Sequence, residues 1–215
     1  MNIKNKKMVF LGDSITAPGY AGTDEKTIYW GRFAENDGCA VTHNAIGGSK
    51  IALSQPLDPD RPYFLSRVPK LPEETDVVVV FGGTNDYGNG SNALGKMSDR
   101  TDDTFYGAVH NLMVALINKY PKATIVFMTP LHRVEEHREY NERGIRNVGC
   151  LETYVNIIKE VAAYYAIPVL DLYRTSGLQP DVPKLRELYM PDGLHPNPAG
   201  HELIYKRLKG FLEAL

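Results

Sequence analysis

A serine near the N-terminus is the first residue whose setting could do chemistry. Ser14 follows the apolar residues 8–11 and the pair Gly12-Asp13. An apolar run that stops at Gly and Asp indicates a buried strand ending in a turn. Ser14 then lies at the carboxyl end of a strand, where open α/β sheets bind ligands. Because Gly-Asp-Ser recurs by accident, its interpretation as a nucleophile depends on the rest of the chain.

A histidine and an aspartate near the C-terminus supply what a serine nucleophile needs. Asp192 and His195 lie immediately before the last predicted helix. Residues three apart in a turn are neighbours, so Asp192 can accept a hydrogen bond from one ring nitrogen and leave the other free. A serine hydroxyl is a weak nucleophile that needs a base, and the base needs an orienting carboxylate. The pattern therefore indicates acyl transfer by Ser14, with His195 as base and Asp192 as its orienter.

Acyl transfer also needs donors for an oxyanion, and two further segments offer them. Asn85 follows the apolar residues 77–81 and therefore shares a sheet edge with Ser14. Gly47 and Gly48 follow the second predicted strand, and paired glycines let a backbone N–H face inward. We expect the oxyanion to bind the N–H of Ser14, the N–H of Gly48 and the side-chain amide of Asn85.

The elements that position these residues alternate along the chain. This alternation predicts a single domain over residues 1–215, with a doubly wound parallel sheet and helices on both faces. An unbroken β-branched run at residues 77–80 indicates a central strand buried on both faces. Strands are predicted at 8–11, 39–43, 76–81, 123–128 and 167–172, and helices at 28–35, 102–120, 151–165 and from Pro198, with a short helix around 63–65.

Composition excludes several classes of protein. Lys and Arg total 24 against 26 Asp and Glu, which leaves no basic stripe for a nucleic-acid partner. No segment is long and apolar enough to predict membrane insertion, and the run after the charged N-terminus is too short for a signal peptide. We therefore expect a cytoplasmic protein, or a secreted one if an export signal was removed. Two cysteines, Cys39 and Cys150, do not indicate a disulfide framework, and the sequence leaves open whether the chain forms a homo-oligomer.

Four blocks span nearly the whole chain: Gly12-Asp13-Ser14-Ile15-Thr16, Gly47-Gly48, Gly82-Gly83-Thr84-Asn85-Asp86 and Asp192-Gly193-Leu194-His195-Pro196. In this order they resemble the blocks of the SGNH hydrolase superfamily, also called GDSL esterases and lipases. The resemblance implies a flavodoxin-like three-layer α/β/α sandwich with five parallel strands, and a serine esterase with the triad and oxyanion hole proposed above. Ala45 stands where the family's second block often has its first glycine, so the donor is assigned to Gly48 with Gly47 as the alternative.

Other residues near these blocks are secondary candidates for substrate binding. Asp13 is expected to fix the turn through local hydrogen bonds, although it also lies beside the nucleophile. Gly47 and Tyr87 adjoin the second and third blocks, and His43 either lines the pocket or has a structural role. We expect no metal and no cofactor, because His132 and His137 are five residues apart and lack the spacing of a His-Glu-x-x-His site.

The substrate is expected from the segments that wall the predicted edge. Residues 131–150 are dense in charge, whereas a long acyl chain needs a continuous apolar trough. Nearby tyrosine rings and amides suit sugars, which favours short-acyl, above all acetyl, esters of small molecules or carbohydrates. Lysophospholipase or thioesterase activity is the alternative within the superfamily. A non-catalytic flavodoxin-like binding domain is the alternative from another class, and the lack of Gly-x-Gly-x-x-Gly after the first strand argues against it.

Overall fold

The chain folds around one parallel β-sheet. The structure is a computed structural model that describes residues 1–54 and 57–215. Its five strands pair in the order β2-β1-β3-β4-β5, and every pair is parallel. This is the flavodoxin-like order, and it confirms the predicted α/β fold with a five-stranded parallel sheet. The strands are β1 (Lys7–Gly12), β2 (Ala40–Ala45), β3 (Val77–Phe81), β4 (Thr124–Met128) and β5 (Val169–Leu170).

Helices connect the strands and cover both faces of the sheet. Two of the longer ones begin at side-chain caps, of which the cap at Asn197 was predicted from the sequence. The side chain of Thr104 accepts from the N–H of Gly107, and that of Asn197 accepts from Ala199 and Gly200. The helices are α1 (Gly31–Asp37), α2 (Phe64–Arg67), α3 (Thr84–Asn89), α4 (Phe105–Lys119), α5 (Leu151–Tyr164), α6 (Leu172–Thr175), α7 (Pro183–Tyr189) and α8 (Pro198–Ala214).

The strand β3 shows how the three layers are joined. All five of its residues are buried, and their side chains alternate between the two faces. Val78 and Val80 belong to the apolar cluster that contains α4 and α5. Val77, Val79 and Phe81 belong to the cluster that contains α1 and α8. The continuous apolar run is therefore the signature of a strand covered on both sides.

The register of the sheet brings the predicted site residues to one edge. Gly12 of β1 lies opposite Ala45 of β2 and opposite Phe81 of β3. The three strands therefore end side by side. The loops that follow them carry Ser14, Gly48 and Asn85, as open α/β sheets place their ligand sites.

The fifth strand differs most from its prediction. The expected strand at 167–172 shrinks to Val169–Leu170. At one end the N–H of Ile167 bonds back to Ala162 in α5, and at the other Asp171 caps α6 by accepting from Arg174. Helix α1 also begins later than predicted, at Gly31, and the short helices α3 and α7 were not predicted. None of the helices in the described ranges is both long and apolar enough to cross a membrane.

Candidate active site

The serine, histidine and aspartate singled out in the sequence lie in one hydrogen-bonded row. The Nε2 atom of His195 is 2.9 Å from the Oγ atom of Ser14. Its Nδ1 atom is 2.6 Å from Oδ2 of Asp192. Because a carboxylate only accepts, Nδ1 carries the proton and donates to Asp192. Nε2 is then free to accept from the serine hydroxyl, which is the tautomer that a general base requires.

Asp192 is held in its charged form by its own loop. Its Oδ1 atom accepts from the backbone N–H of His195 at 2.7 Å and from that of Leu194 at 2.9 Å. Partial burial opposes ionisation, but these bonds and the one from the His195 ring together hold the pKa of Asp192 below its usual value. The carboxylate is therefore ionised at neutral pH and can stabilise a protonated His195.

Two contacts from elsewhere in the chain position the histidine loop. The N–H of Val134 donates to the carbonyl of Gly193 at 3.0 Å. Gly193 has φ +80, and a Cβ there would lie 2.7 Å from Val134, so the loop needs glycine at this point. The ring of Tyr20 stacks on the imidazole of His195, with centroids 4.7 Å apart and 25° between the planes. Sequence reasoning missed Tyr20. The signal that could have indicated it is its position in the glycine-flanked turn that follows Ser14.

The candidate oxyanion donors lie in the loops at the same sheet edge as the serine, and each has an N–H without an acceptor in the described residues. The amide of Asn85 donates once, to the carbonyl of Ser49 at 3.1 Å, and keeps a second N–H. Within residues 1–54 and 57–215, the backbone N–H groups of Ser14, Gly47 and Gly48 have no acceptor. Such unpaired donors at a strand edge are what an oxyanion hole offers. The choice between Gly47 and Gly48 stays a prediction.

Both glycines adjoin side chains that a Cβ would meet, and Gly48 also has a backbone conformation that favours glycine. Gly48 has φ +74, a conformation that favours glycine. A Cβ there would also lie 3.0 Å from Nη1 of Arg61. A Cβ on Gly47 would overlap the hydroxyl of Tyr20, which brings this tyrosine against both the histidine and the glycine block.

A buried arginine ties the loops of the site together. Arg67 in α2 is 1% exposed. Its Nη1 atom donates to the carbonyls of Gly12 at 3.1 Å and Asn44 at 2.9 Å, and its Nη2 atom donates to Oγ of Ser49 at 3.0 Å. Because Ser49 also holds the amide of Asn85, one guanidinium connects the loops that follow β1, β2 and β3. Sequence reasoning missed Arg67, since nothing in the short helix marks it as buried.

Two buried carboxylates support the loops of the site, and the first of them, Asp13, lies near this arginine. Asp13 accepts from the N–H of Ile15 at 3.0 Å through Oδ1, as its predicted role in the turn requires. Its Oδ2 atom is buried without a hydrogen-bond partner in the described part of the chain. Burial raises the pKa of Asp13 to about 7, although the bond from Ile15 and the charge of Arg67 favour the ionised form.

The second carboxylate belongs to Asp86. It accepts from the N–H groups of Ile51 and Ala52 at 3.0 and 2.9 Å, and burial raises its pKa to about 6. Asp86 therefore anchors the segment that follows the glycine block.

The structure bears on three of the secondary candidates for substrate binding. The prediction that Tyr87 binds substrate was wrong, because its side chain is fully buried and its hydroxyl donates to the carbonyl of Glu135 at 2.6 Å. Asp13 is likewise buried beneath the turn, at 1% exposure, and does not reach the cleft. His43 lies within β2 and stacks on the indole of Trp30 with centroids 4.5 Å apart, which is the structural role that the sequence left open. Gly47 remains a candidate beside Tyr20.

The charged segment at residues 131–150 is organised by hydrogen bonds among its own side chains and to Tyr173 of α6. His132 Nδ1 lies 2.9 Å from Oε2 of Glu136, and the other oxygen of Glu136 accepts from the hydroxyl of Tyr173 at 3.2 Å. Arg133 donates to Glu142 at 2.5 Å. These bonds fix the segment whose Val134 holds the histidine loop.

Comparison with known proteins agrees with this architecture. The chain matches the GDSL-like Lipase/Acylhydrolase family over residues 10–203. A protein of known crystal structure from Lactobacillus plantarum is 32% identical, with a TM-score of 0.84, and the similarity covers 98% of each chain. No curated protein matches the chain.

Two more distant structures have the same fold. The lipase/acylhydrolase from Enterococcus faecalis is 23% identical, with a TM-score of 0.65 over 97% of this chain and 96% of that one. The acetyl xylan esterase AlAXEase is 23% identical, with a TM-score of 0.65 over 95% of this chain and 98% of that one.

The fold and the family match together define the class of protein, a hydrolase of carboxylic esters built on a flavodoxin-like sheet. More narrowly, the chain belongs to the GDSL-like lipase/acylhydrolase family, which confirms the resemblance of its four sequence blocks. An ester substrate follows from that membership.

Proposed function

We propose that this chain is a serine esterase that forms an acyl-enzyme on Ser14 and hydrolyses short-acyl esters, above all acetyl esters of carbohydrates. The observation that carries the proposal is the row of hydrogen bonds from Ser14 through His195 to Asp192, at 2.9 and 2.6 Å. Nucleophile and base are within hydrogen-bond reach, and the base is oriented by a third group.

The reaction follows from these positions. The Oγ atom of Ser14 attacks the carbonyl carbon of the ester while Nε2 of His195 takes its proton, and the carbonyl electrons move onto oxygen. The N–H of Ser14, the N–H of Gly48 and the amide of Asn85 stabilise that oxyanion. Collapse breaks the bond to the alcohol, which leaves with the proton from His195. Water then attacks the acyl-enzyme with His195 again as base, and the carboxylic acid departs.

The surroundings of the glycine block support a short acyl group. The guanidinium of Arg61 adjoins Gly48, and Lys50 and Arg143 line the cleft beyond it. A long acyl chain laid along charged side chains would keep water on its surface and lose the gain of burial. The similarity in fold to an acetyl xylan esterase is consistent with acetyl groups on a carbohydrate.

One feature favours a second candidate, a lysophospholipase or thioesterase with a longer acyl chain. An apolar hollow of about 270 Å³ adjoins the loop that follows Gly48, and its wall shares Lys50 and Arg61 with the charged cleft. Each methylene that found a dry groove there would gain ~0.8 kcal/mol. The apolar residues that line the hollow include Ala52, Leu53, Leu57, Pro59 and Pro62.

A series of p-nitrophenyl esters from acetate to palmitate tests the proposal, with Ser14→Ala as the control for background hydrolysis. We expect kcat/KM to peak between acetate and butyrate and to fall steeply for longer chains. A continued rise beyond octanoate would favour the second candidate. Folded protein that hydrolyses no ester in the series faster than the Ser14→Ala variant would contradict the esterase proposal itself.

A further inference from the structure

A cleft with cationic side chains opens beside the candidate oxyanion hole. Its volume is about 490 Å³, and its polar walls include Lys50, Arg61, Arg143 and Asn89. The Nη1 and Cζ atoms of Arg61 lie 3.0 and 3.3 Å from the point where a Cβ on Gly48 would stand. The cleft therefore begins within a few ångströms of the predicted oxyanion donor, within reach of substituents on a bound ester.

The positive charge of this cleft is not cancelled by its own carboxylates. Glu142 lies on its wall, but its Oε1 atom is already bound by Arg133 at 2.5 Å and Arg138 at 3.2 Å. Asp58 is 3.8 Å from Nε of Arg61, a long ion pair at an exposed position. In the part of the chain that the structure describes, no carboxylate lies at ion-pair distance from Lys50 or Arg143.

The three cations are also close enough to affect one another. Half-burial lowers the pKa of Lys50, and the charge of Asp86 opposes this shift. The charges of Arg143 and Arg61 lower the pKa further, and the charge of Asp58 raises it. Like charges in one cleft repel each other, and an anion bound between them offsets that repulsion.

Building on the proposed esterase function, we propose that this cleft binds an anionic group, a carboxylate or a phosphate, carried by the ester substrate near its scissile bond. The planar guanidinium groups of Arg61 and Arg143 suit the paired oxygens of such a group, and the Lys50 ammonium adds a point charge. The amide of Asn89 supplies a further donor. An uncharged acetylated sugar would leave Lys50 and Arg143 without a carboxylate at ion-pair distance among the described residues, so the substrate class becomes an ester of an acidic molecule.

Matched esters test this proposal. Three aryl acetates carry a carboxylate, a phosphate or a carboxamide at the para position of the leaving group. A second pair places the charge in the acyl part, p-nitrophenyl hemisuccinate against its monoamide. The quantity of interest is the kcat/KM of each charged ester divided by that of its carboxamide partner. Comparing this ratio between wild-type protein and variants cancels the intrinsic reactivity of the esters.

The variants are Lys50→Gln and Arg143→Gln, with Lys122→Gln as the matched control. Lys122 is exposed and precedes β4, at the opposite edge of the sheet. We expect the wild-type ratio to fall about threefold to tenfold in Lys50→Gln and Arg143→Gln for at least one charged ester, and to stay unchanged in Lys122→Gln. The wild-type ratio should also fall as salt is raised, because much of the cleft is exposed to solvent.

The outcomes separate the two proposals. The aryl acetates with a carboxylate or a phosphate show which anion is preferred. The hemisuccinate shows whether the anion lies on the acyl side of the ester or on the leaving-group side. If no charged ester has a ratio that responds to Lys50→Gln, to Arg143→Gln or to salt, anion binding in this cleft is wrong. The esterase proposal still stands in that case, provided that the carboxamide esters are hydrolysed by wild-type protein and not by Ser14→Ala.

Discussion

The two halves of the candidate site are held in different ways. On the nucleophile side, the loops after β1, β2 and β3 rest on buried polar groups, with Asp13 and Arg67 at 1% exposure and Asp86 at 5%. On the base side, Asp192 has a side chain that is 50% exposed, and its backbone partners come from its own loop. From outside that loop, Val134 donates a hydrogen bond to Gly193 and Tyr20 stacks on His195.

This difference reflects what each half must do. Oxyanion donors work only if they are fixed before charge develops, so three separate loops need a rigid common support. A general base needs the right tautomer and one good hydrogen bond, which a short loop can provide. Damage to the buried polar support of the nucleophile side should therefore lower both stability and activity, whereas damage to the base side should lower activity alone.

The largest effect is expected from removing the reacting side chains. Ser14→Ala and His195→Ala should each lower kcat/KM by at least about 10⁴-fold, because a nucleophile without its base is nearly as ineffective as none. The melting temperature should change little, since both residues lie in turns outside the two apolar clusters. The double variant should be no worse than the poorer single one. Additive losses in ester hydrolysis would show that the two residues act independently.

Arg67→Met tests the buried support. It removes the hydrogen bonds to Gly12, Asn44 and Ser49. Breaking a buried charged network typically costs ~3–5 kcal/mol, so urea unfolding should show a loss of that size together with a fall in kcat. Arg207→Met, at an exposed position of α8, should leave both unchanged. A stable Arg67→Met protein with normal kcat would refute the distinction between the two halves.

The buried carboxylates should give this side of the site a pH dependence. The folded pKa of Asp13, about 7, lies above its unfolded value of 3.8, so the folded state binds the extra proton between these values. Stability therefore falls as pH rises from about 4 to about 7, by at most ~4 kcal/mol from this group, and Asp86 acts in the same direction.

Asp13→Asn provides the check. Urea unfolding at pH 5 and at pH 8 should differ less in this variant than in wild-type protein, because the amide that replaces the carboxyl group cannot ionise. Asp58→Asn, which removes an exposed carboxylate, should keep the wild-type difference. An equal pH difference in all three proteins would mean that Asp13 does not titrate in this range.

The smallest effect is expected from Tyr20. Losing the ring that stacks on His195 should lower kcat about tenfold or less in Tyr20→Ala, because the Asp192 bond still orients the imidazole. Tyr20→Phe keeps the ring and should retain most of that activity. Both variants should unfold at the wild-type urea concentration. A loss in Tyr20→Ala as large as that in His195→Ala would make the base side as dependent on remote contacts as the nucleophile side.

The structural features that could be predicted from the sequence are those with local signals. The apolar run of β3 and the Asn197 cap of α8 each depend on neighbours in sequence, and both were predicted correctly. Arg67 and Tyr20 were missed because their partners are distant in sequence, and neither residue type indicates which face it presents.

The errors have two different origins. Tyr87 follows a strand at the functional edge, as a binding residue would, but α3 turns its ring into the core. The fifth strand was overestimated because Asp171 ends it by capping a helix. Packing against the core placed Tyr87, whereas a local helix cap ended the fifth strand.

The most direct test of the central claim is labelling by a fluorophosphonate followed by peptide mass spectrometry. If His195 activates Ser14, the probe should modify Ser14 in the folded wild-type protein at one site per chain. Labelling should be lost in Ser14→Ala and His195→Ala, and should persist in the exposed control Arg207→Met. Wild-type protein that is folded but unlabelled at Ser14, or labelled equally well in His195→Ala, would contradict the account.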